Sequence, residues 1–156
     1  MSSSHVPFNL TIFIDADACP VKDEVLRVAE RHKLRVHIVS NQWMRGPESD
    51  LINRVLVPNE PDAADDWIAE RAAKSDIVIT ADVPLASRCV EKGAQVLNHN
   101  GKAFTEDSIG MALAMRNLMT DLRSAGETTG GNAAFTKADR SNFLNTLEVA
   151  AQKAKR

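Results

Sequence analysis

Apolar positions along the chain follow two alternating patterns. Short, nearly continuous runs occur at LTIFID (10–15), LRVHIVS (34–40), DIVITAD (76–82) and AQVLN (94–98), with a further one at INRVLV (52–57). They are rich in β-branched residues, which predicts strands. Between the runs the spacing becomes helical. Val21, Val25, Val28 and His32 lie 4, 3 and 4 residues apart and define one face of a helix. Ala64, Ile68 and Ala72 define a second, widened by Trp67. Leu85, Cys89 and Val90 mark a third, with Gly93 placed to end it.

Strands alternating with helices predict parallel pairing and right-handed crossovers. The expected fold class is therefore α/β, a three-layer open, mainly parallel sheet with helices on both faces. LTIFID and DIVIT lack the alternation of a half-exposed strand, as central strands covered on both sides do. Beyond residue 100 the pattern turns helical. Met111, Met115, Leu118 and Leu122 predict a helix over about 106–124, with the methionines at 111, 115 and 119 as core filler. SAGETTGGN (124–132) is a polar loop. A last helix follows, with Thr136 as N-cap, Asp139 as its capping-box partner, and Phe143, Leu147 and Ala150 turned inward. The 156 residues suit one domain over 1–156, with a core at about 10–125 and a C-terminal helical extension at about 135–155.

Charge and composition narrow the function classes. A formal net charge of -2 supplies no global attraction to nucleic acid, so any such binding needs a local basic patch. Lys22, Lys137 and Arg140 are candidates for a phosphate-binding rim, with Arg45 and Arg54 beside them. Trp43, in NQWMRG, is a loop aromatic able to stack on a base. No apolar run approaches the roughly 20 residues of a membrane span. The start, MSSSHVPFNL, has neither the basic nor the apolar region of a secretory signal, and two cysteines build no disulfide framework. A cytoplasmic setting is expected.

The chemistry concentrates in acidic residues. Asp15 ends the first apolar run and Asp17 follows it, with Pro20 placed to start a helix after both. Asp82 ends a later run in the same manner, followed by Pro84. In an open parallel sheet, ligands bind beyond the carboxyl ends of the strands where strand order reverses. If the two strands are neighbours there, Asp15, Asp17 and Asp82 converge. Asp62 reads as a helix N-cap. Asp65, three residues before Ile68, leans toward the buried face, and Asp66 points aside. Two carboxylates about 4 Å apart repel by about 4 kcal/mol at an effective dielectric of 20. A proton or a divalent cation relieves this, and Mg²⁺ or Mn²⁺ prefers such oxygen ligands. A cation held this way activates water and steadies a phosphoryl oxygen.

DADACPVK (15–22), DAADDWI (62–68), DIVITADVPLA (76–86) and FTKADR (135–140) together resemble the YaiI/YqxD family of uncharacterised bacterial proteins. That family is similar to PIN-like domains, a nuclease-associated α/β fold. The resemblance implies Asp15, Asp17, Asp65 and Asp82 as the metal set, Mg²⁺ or Mn²⁺ as the cofactor and phosphodiesters, RNA first among them, as substrate. Asp15, Asp17 and Asp82 would be the catalytic carboxylates. Two other functions fit the same residues. In a haloacid-dehalogenase-like phosphatase Asp15 would attack phosphorus, Asp17 would be the acid, Ser40 would follow the second strand and Asp82 would hold Mg²⁺. Cys19 and the lack of a long cap insertion depart from that pattern. The remaining alternative is a non-catalytic module that binds RNA or a protein.

Overall fold

The computed structural model describes residues 10–16, 21–42, 50–60, 62–111, 114 and 136–154. In chain order the elements are β1 (Thr11–Asp15), α1 (Lys22–His32), β2 (Arg35–Ser40), β3 (Ile52–Leu56), α2 (Ala63–Arg71), β4 (Ile77–Ile79), α3 (Val83–Glu91), β5 (Gln95–Leu97), β6 (Ala103–Phe104) and α4 (Lys137–Ala154). A helical stretch at 106–111 precedes α4. The strands form one open sheet in the order β3-β2-β1-β4-β5-β6. All neighbours pair in parallel except β5 and β6, which are antiparallel.

The order reverses between β1 and β4. From β1 the chain steps outward to β2 and β3, then returns to the other side of β1 for β4 and β5. Ile12, Ile14, Ile77 and Ile79 on one face of the sheet join Val25 and Val28 of α1 and Phe143 and Leu147 of α4 in one apolar cluster. Phe13, Val39 and Val78 on the other face join Ile68 and Ala69 of α2 and Leu85 and Cys89 of α3. The central strands are thus covered on both sides, which is why their sequence shows no period of two. Burial pushes the Cys89 thiol up to about 11, so it behaves as a small apolar residue.

The ends of the elements follow local rules. α1 stops at Lys33, in the left-handed region at φ 56. α3 ends at Lys92, and Gly93, at φ 88, donates its N–H to the Val90 carbonyl. At α4, Thr136 Oγ1 accepts from the Asp139 N–H at 3.0 Å, and Asp139 Oδ2 accepts from the Thr136 N–H at 3.1 Å, a reciprocal capping box. Asp76, at the amino end of β4, is buried and accepts from the N–H groups of Thr11 and Ala73 at 3.1 and 3.0 Å. It ties the start of β1 to β4. Burial raises its pKa while those two hydrogen bonds oppose the rise.

Three expectations need correction. Met111 is 74% exposed and fills no core, because its stretch meets the sheet through Ile109 instead. Asp62 stands at the N-cap of α2, but its side chain makes no capping hydrogen bond. DIVITAD yields a strand only at Ile77–Ile79, although the Thr80 N–H still donates to the Leu97 carbonyl and the Gln95 N–H to the Asp76 carbonyl. Met115, Met119, the loop at 124–132, Asp17, Cys19, Trp43 and Arg45 lie outside the described residues.

Candidate functional site

The side chains at the carboxyl ends of the strands follow from the register. Ile14 is level with Ile79, so the next residues, Asp15 and Thr80, stand side by side. Alternation turns both toward the face carrying α2 and α3, as it does Phe13 and Val78 one pleat earlier. Thr80 is buried, and its hydroxyl donates to Asp15 Oδ2 at 3.0 Å. The same Thr80 Oγ1 accepts from the Asp82 N–H at 3.0 Å. One threonine therefore fixes both the carboxylate of β1 and the backbone that presents Asp82.

Asp82 is the N-cap of α3. Its Oδ1 accepts from the Leu85 N–H at 3.0 Å, and Pro84 stands in the first turn, where a missing N–H does no harm. Asp65 sits in the first turn of α2. Helix phase turns it inward beside Ile68, whereas Asp66 points out and pairs with Arg88 at 2.9 Å.

These side chains border one cleft of about 550 Å³. Asp15, Asp65 and Asp82 line it, together with Asn41, Pro58, Asn59 and Glu60. The cleft crosses the carboxyl ends of β3, β2, β1 and β4, at the reversal of strand order where such sheets bind ligands. Among the described residues that line it there is no lysine or arginine.

The electrostatics record the crowding. The Asp65 carboxyl is raised to about 6, first by burial, then by the charges of Asp82, Asp15 and Asp62, with Arg88 opposing. A position near a helix N-terminus favours a carboxylate. Burial and three neighbouring acids outweigh it here.

The folded chain holds the Asp65 proton to higher pH than the unfolded chain, so the group's destabilisation appears as pH rises through about 4 to 6 and is complete above that. Asp65 is half-buried and still screened by water. Asp65→Asn is therefore expected to stabilise the protein at pH 8 by on the order of 1 kcal/mol, and by much less at pH 4. Urea unfolding at the two pH values measures the difference.

The sequence-derived candidates divide. Asp15, Asp65 and Asp82 come together, and Asp17 lies outside the described residues. Of the candidate basic rim, Lys22, Lys137 and Arg140 are not among the described residues that line the cleft. Arg140 instead pairs with the buried Glu24 at 2.7 Å and joins α4 to α1. His37 packs edge-on against Trp67, and His32 bonds Glu148 at 2.7 Å. Thr80, Asn41 and Asn59 were missed. Thr80 carried a signal, a hydroxyl inside an apolar strand two residues before Asp82. The two asparagines carried none, since each lies in a polar loop. Among the described residues, no three His, Cys, Asp or Glu side chains are close enough to enclose one metal ion. A hydrated cation needs fewer, because Mg²⁺ is commonly held by one or two carboxylates and keeps several waters.

An open, doubly wound α/β sheet with a carboxylate-lined cleft at its switch point is the class of protein that these features define. The chain belongs to the YaiI/YqxD family, described as "Uncharacterized BCR", whose model matches residues 13–153. It is 61% identical over 145 residues to a "UPF0178 protein" of Parvibaculum lavamentivorans, covering 93% of this chain and 95% of the relative. It is 57% identical over 150 residues to one of Azorhizobium caulinodans, covering 96% and 94%. A relative from Rhodospirillum rubrum is 59% identical over 148 residues, covering 94% and 99%. No solved structure matches the chain. Among the described residues, no helix is long and apolar enough to cross a membrane.

Proposed function

We propose that this protein is a PIN-like, divalent-metal-dependent hydrolase of phosphodiesters, acting on RNA. The observation that carries the proposal is the mutual approach of Asp15, Asp65 and Asp82 at the switch point, close enough for two of them to raise the third. Such a grouping of acids favours a cation as counter-charge. The donor set is all oxygen, which suits Mg²⁺ or Mn²⁺. Asp15, oriented by Thr80, and Asp82, oriented by the α3 cap, would hold the ion, with Asp17, two residues after Asp15 in the sequence, as the further ligand the family resemblance implies. When bound, the ion supplies charge neutralisation and a more acidic water. Asp65 would take a proton from a water in the cleft or ligate a second ion. Its position near neutrality suits it to accept a proton.

The phosphatase alternative needs Asp15 as a nucleophile. Its Oδ2 accepts from the Thr80 hydroxyl, and trapping of beryllofluoride at Asp15 would favour that reading. The experiment is cleavage of end-labelled, single-stranded RNA with 1:1 mixtures of protein and Mn²⁺ in excess EDTA as the control. Cleavage is expected with the metal and none with the chelator. Equal cleavage in both would overturn the proposal.

A further inference from the structure

Two amides line the cleft beside the acids, next to Glu60. Asn41 follows β2 directly and Asn59 follows β3, and both line the cleft. Asn41 Nδ2 donates to Asn59 Oδ1 at 3.0 Å, so each side chain holds the other in place. The pair leaves one acceptor, Asn41 Oδ1, and one donor, Asn59 Nδ2, without another hydrogen bond among the described residues. Exchanging the roles of the two amides leaves the same set. Pro58, exposed beside Asn59, adds an apolar surface to the same lining.

We infer that Asn41 and Asn59 form a base-recognition edge. The cleft takes one unpaired nucleotide, its phosphate at the carboxylates and its base against the amide pair and Pro58. This rests on the nuclease reading of the carboxylates and adds a specificity element to it. Three observations support it. The pair offers an acceptor on Asn41 and a donor on Asn59, the two functions that asparagine and glutamine turn to the edge of a nucleobase elsewhere. Adjacent strands lie about 4.8 Å apart, so the β1–β4 boundary and the end of β3 are separated by roughly 10–14 Å. That span is comparable with the distance from a nucleotide's phosphate to the outer edge of its base. At about 550 Å³ the cleft holds a single small ligand unit, and a paired base would have its Watson–Crick edge already occupied.

The experiment measures binding of the four ribonucleoside 5′-monophosphates in the presence of Mn²⁺, to the wild type, Asn41→Ala and Asn59→Ala. In the wild type the tightest and weakest nucleotides are expected to differ by at least about fivefold. Either substitution is expected to bring that ratio below about twofold, with Mn²⁺ affinity and the unfolding midpoint unchanged. Equal affinities in the wild type, or a ratio that survives both substitutions, would overturn the inference. If RNA is cleaved while the four nucleotides bind equally, the recognition edge fails and the hydrolase stands. If Mn²⁺ does not bind at all, the hydrolase reading fails and the recognition edge with it.

Discussion

Asp15→Asn is expected to lower Mn²⁺-dependent RNA cleavage by about 10²- to 10³-fold, the usual effect of removing one electrostatic element of a reacting centre. Stability should change far less. Asparagine keeps a carbonyl oxygen able to accept from the Thr80 hydroxyl, so the hydrogen bond that organises the end of β1 survives. It also removes one of the charges that press on Asp65. Activity and stability are therefore expected to move independently, or even in opposite directions. Parallel measurements of cleavage rate and urea midpoint check this. A variant that unfolds with its activity would mean that Asp15 serves the sheet rather than the cleft.

Phe143→Ala is expected to destabilise the protein by about 3–5 kcal/mol, the range for removing a fully buried aromatic side chain. Phe143 is 0% exposed and is the largest of the fully buried side chains among the described residues. It anchors α4 in the cluster that α1 shares with the sheet. The backbone beside it has little room to follow a collapse. Gly101, at φ 90, lies so close that a Cβ there would stand 2.8 Å from the Asn142 carbonyl carbon. The surrounding atoms cannot readily fill the space that the ring leaves, which places the expected loss toward the upper part of the range. Urea unfolding with an unchanged m-value measures it. A loss under about 1 kcal/mol would show that α4 contributes little to the core.

Much of the fold was legible because each signal in it is local. β-branched runs without alternation marked the central strands, and the spacing of Val21, Val25 and Val28 marked the buried face of α1. The capping box at Thr136 and Asp139 was likewise written in neighbouring residues. β6 escaped because a two-residue antiparallel edge strand has no period to read. Met111 misled because an amphipathic pattern at the start of a helix does not say which residue meets the sheet.

The candidate site was legible to the same depth. Aspartates at two strand ends, with prolines after them, could be aligned by the rule for open parallel sheets. The phase of Asp65 against Ile68 separated it from Asp66, and the ion pair of Asp66 with Arg88 agrees with that separation. The basic rim was not legible. Arg140 needs a partner 116 residues away, Glu24, and only tertiary packing reveals that it is taken. The role of Thr80 depends on the register of β1 against β4, and that of Asn41 and Asn59 on two loops meeting in space. None of these three is a sequence-local property.

That the carboxylates share a cation is tested most directly by diffraction from crystals soaked in Mn²⁺, recorded where manganese scatters anomalously. An anomalous peak is expected in the cleft, within about 2–2.5 Å of a carboxylate oxygen of Asp15 or Asp82. Peaks confined to other parts of the molecule, with the cleft holding only water, would contradict it.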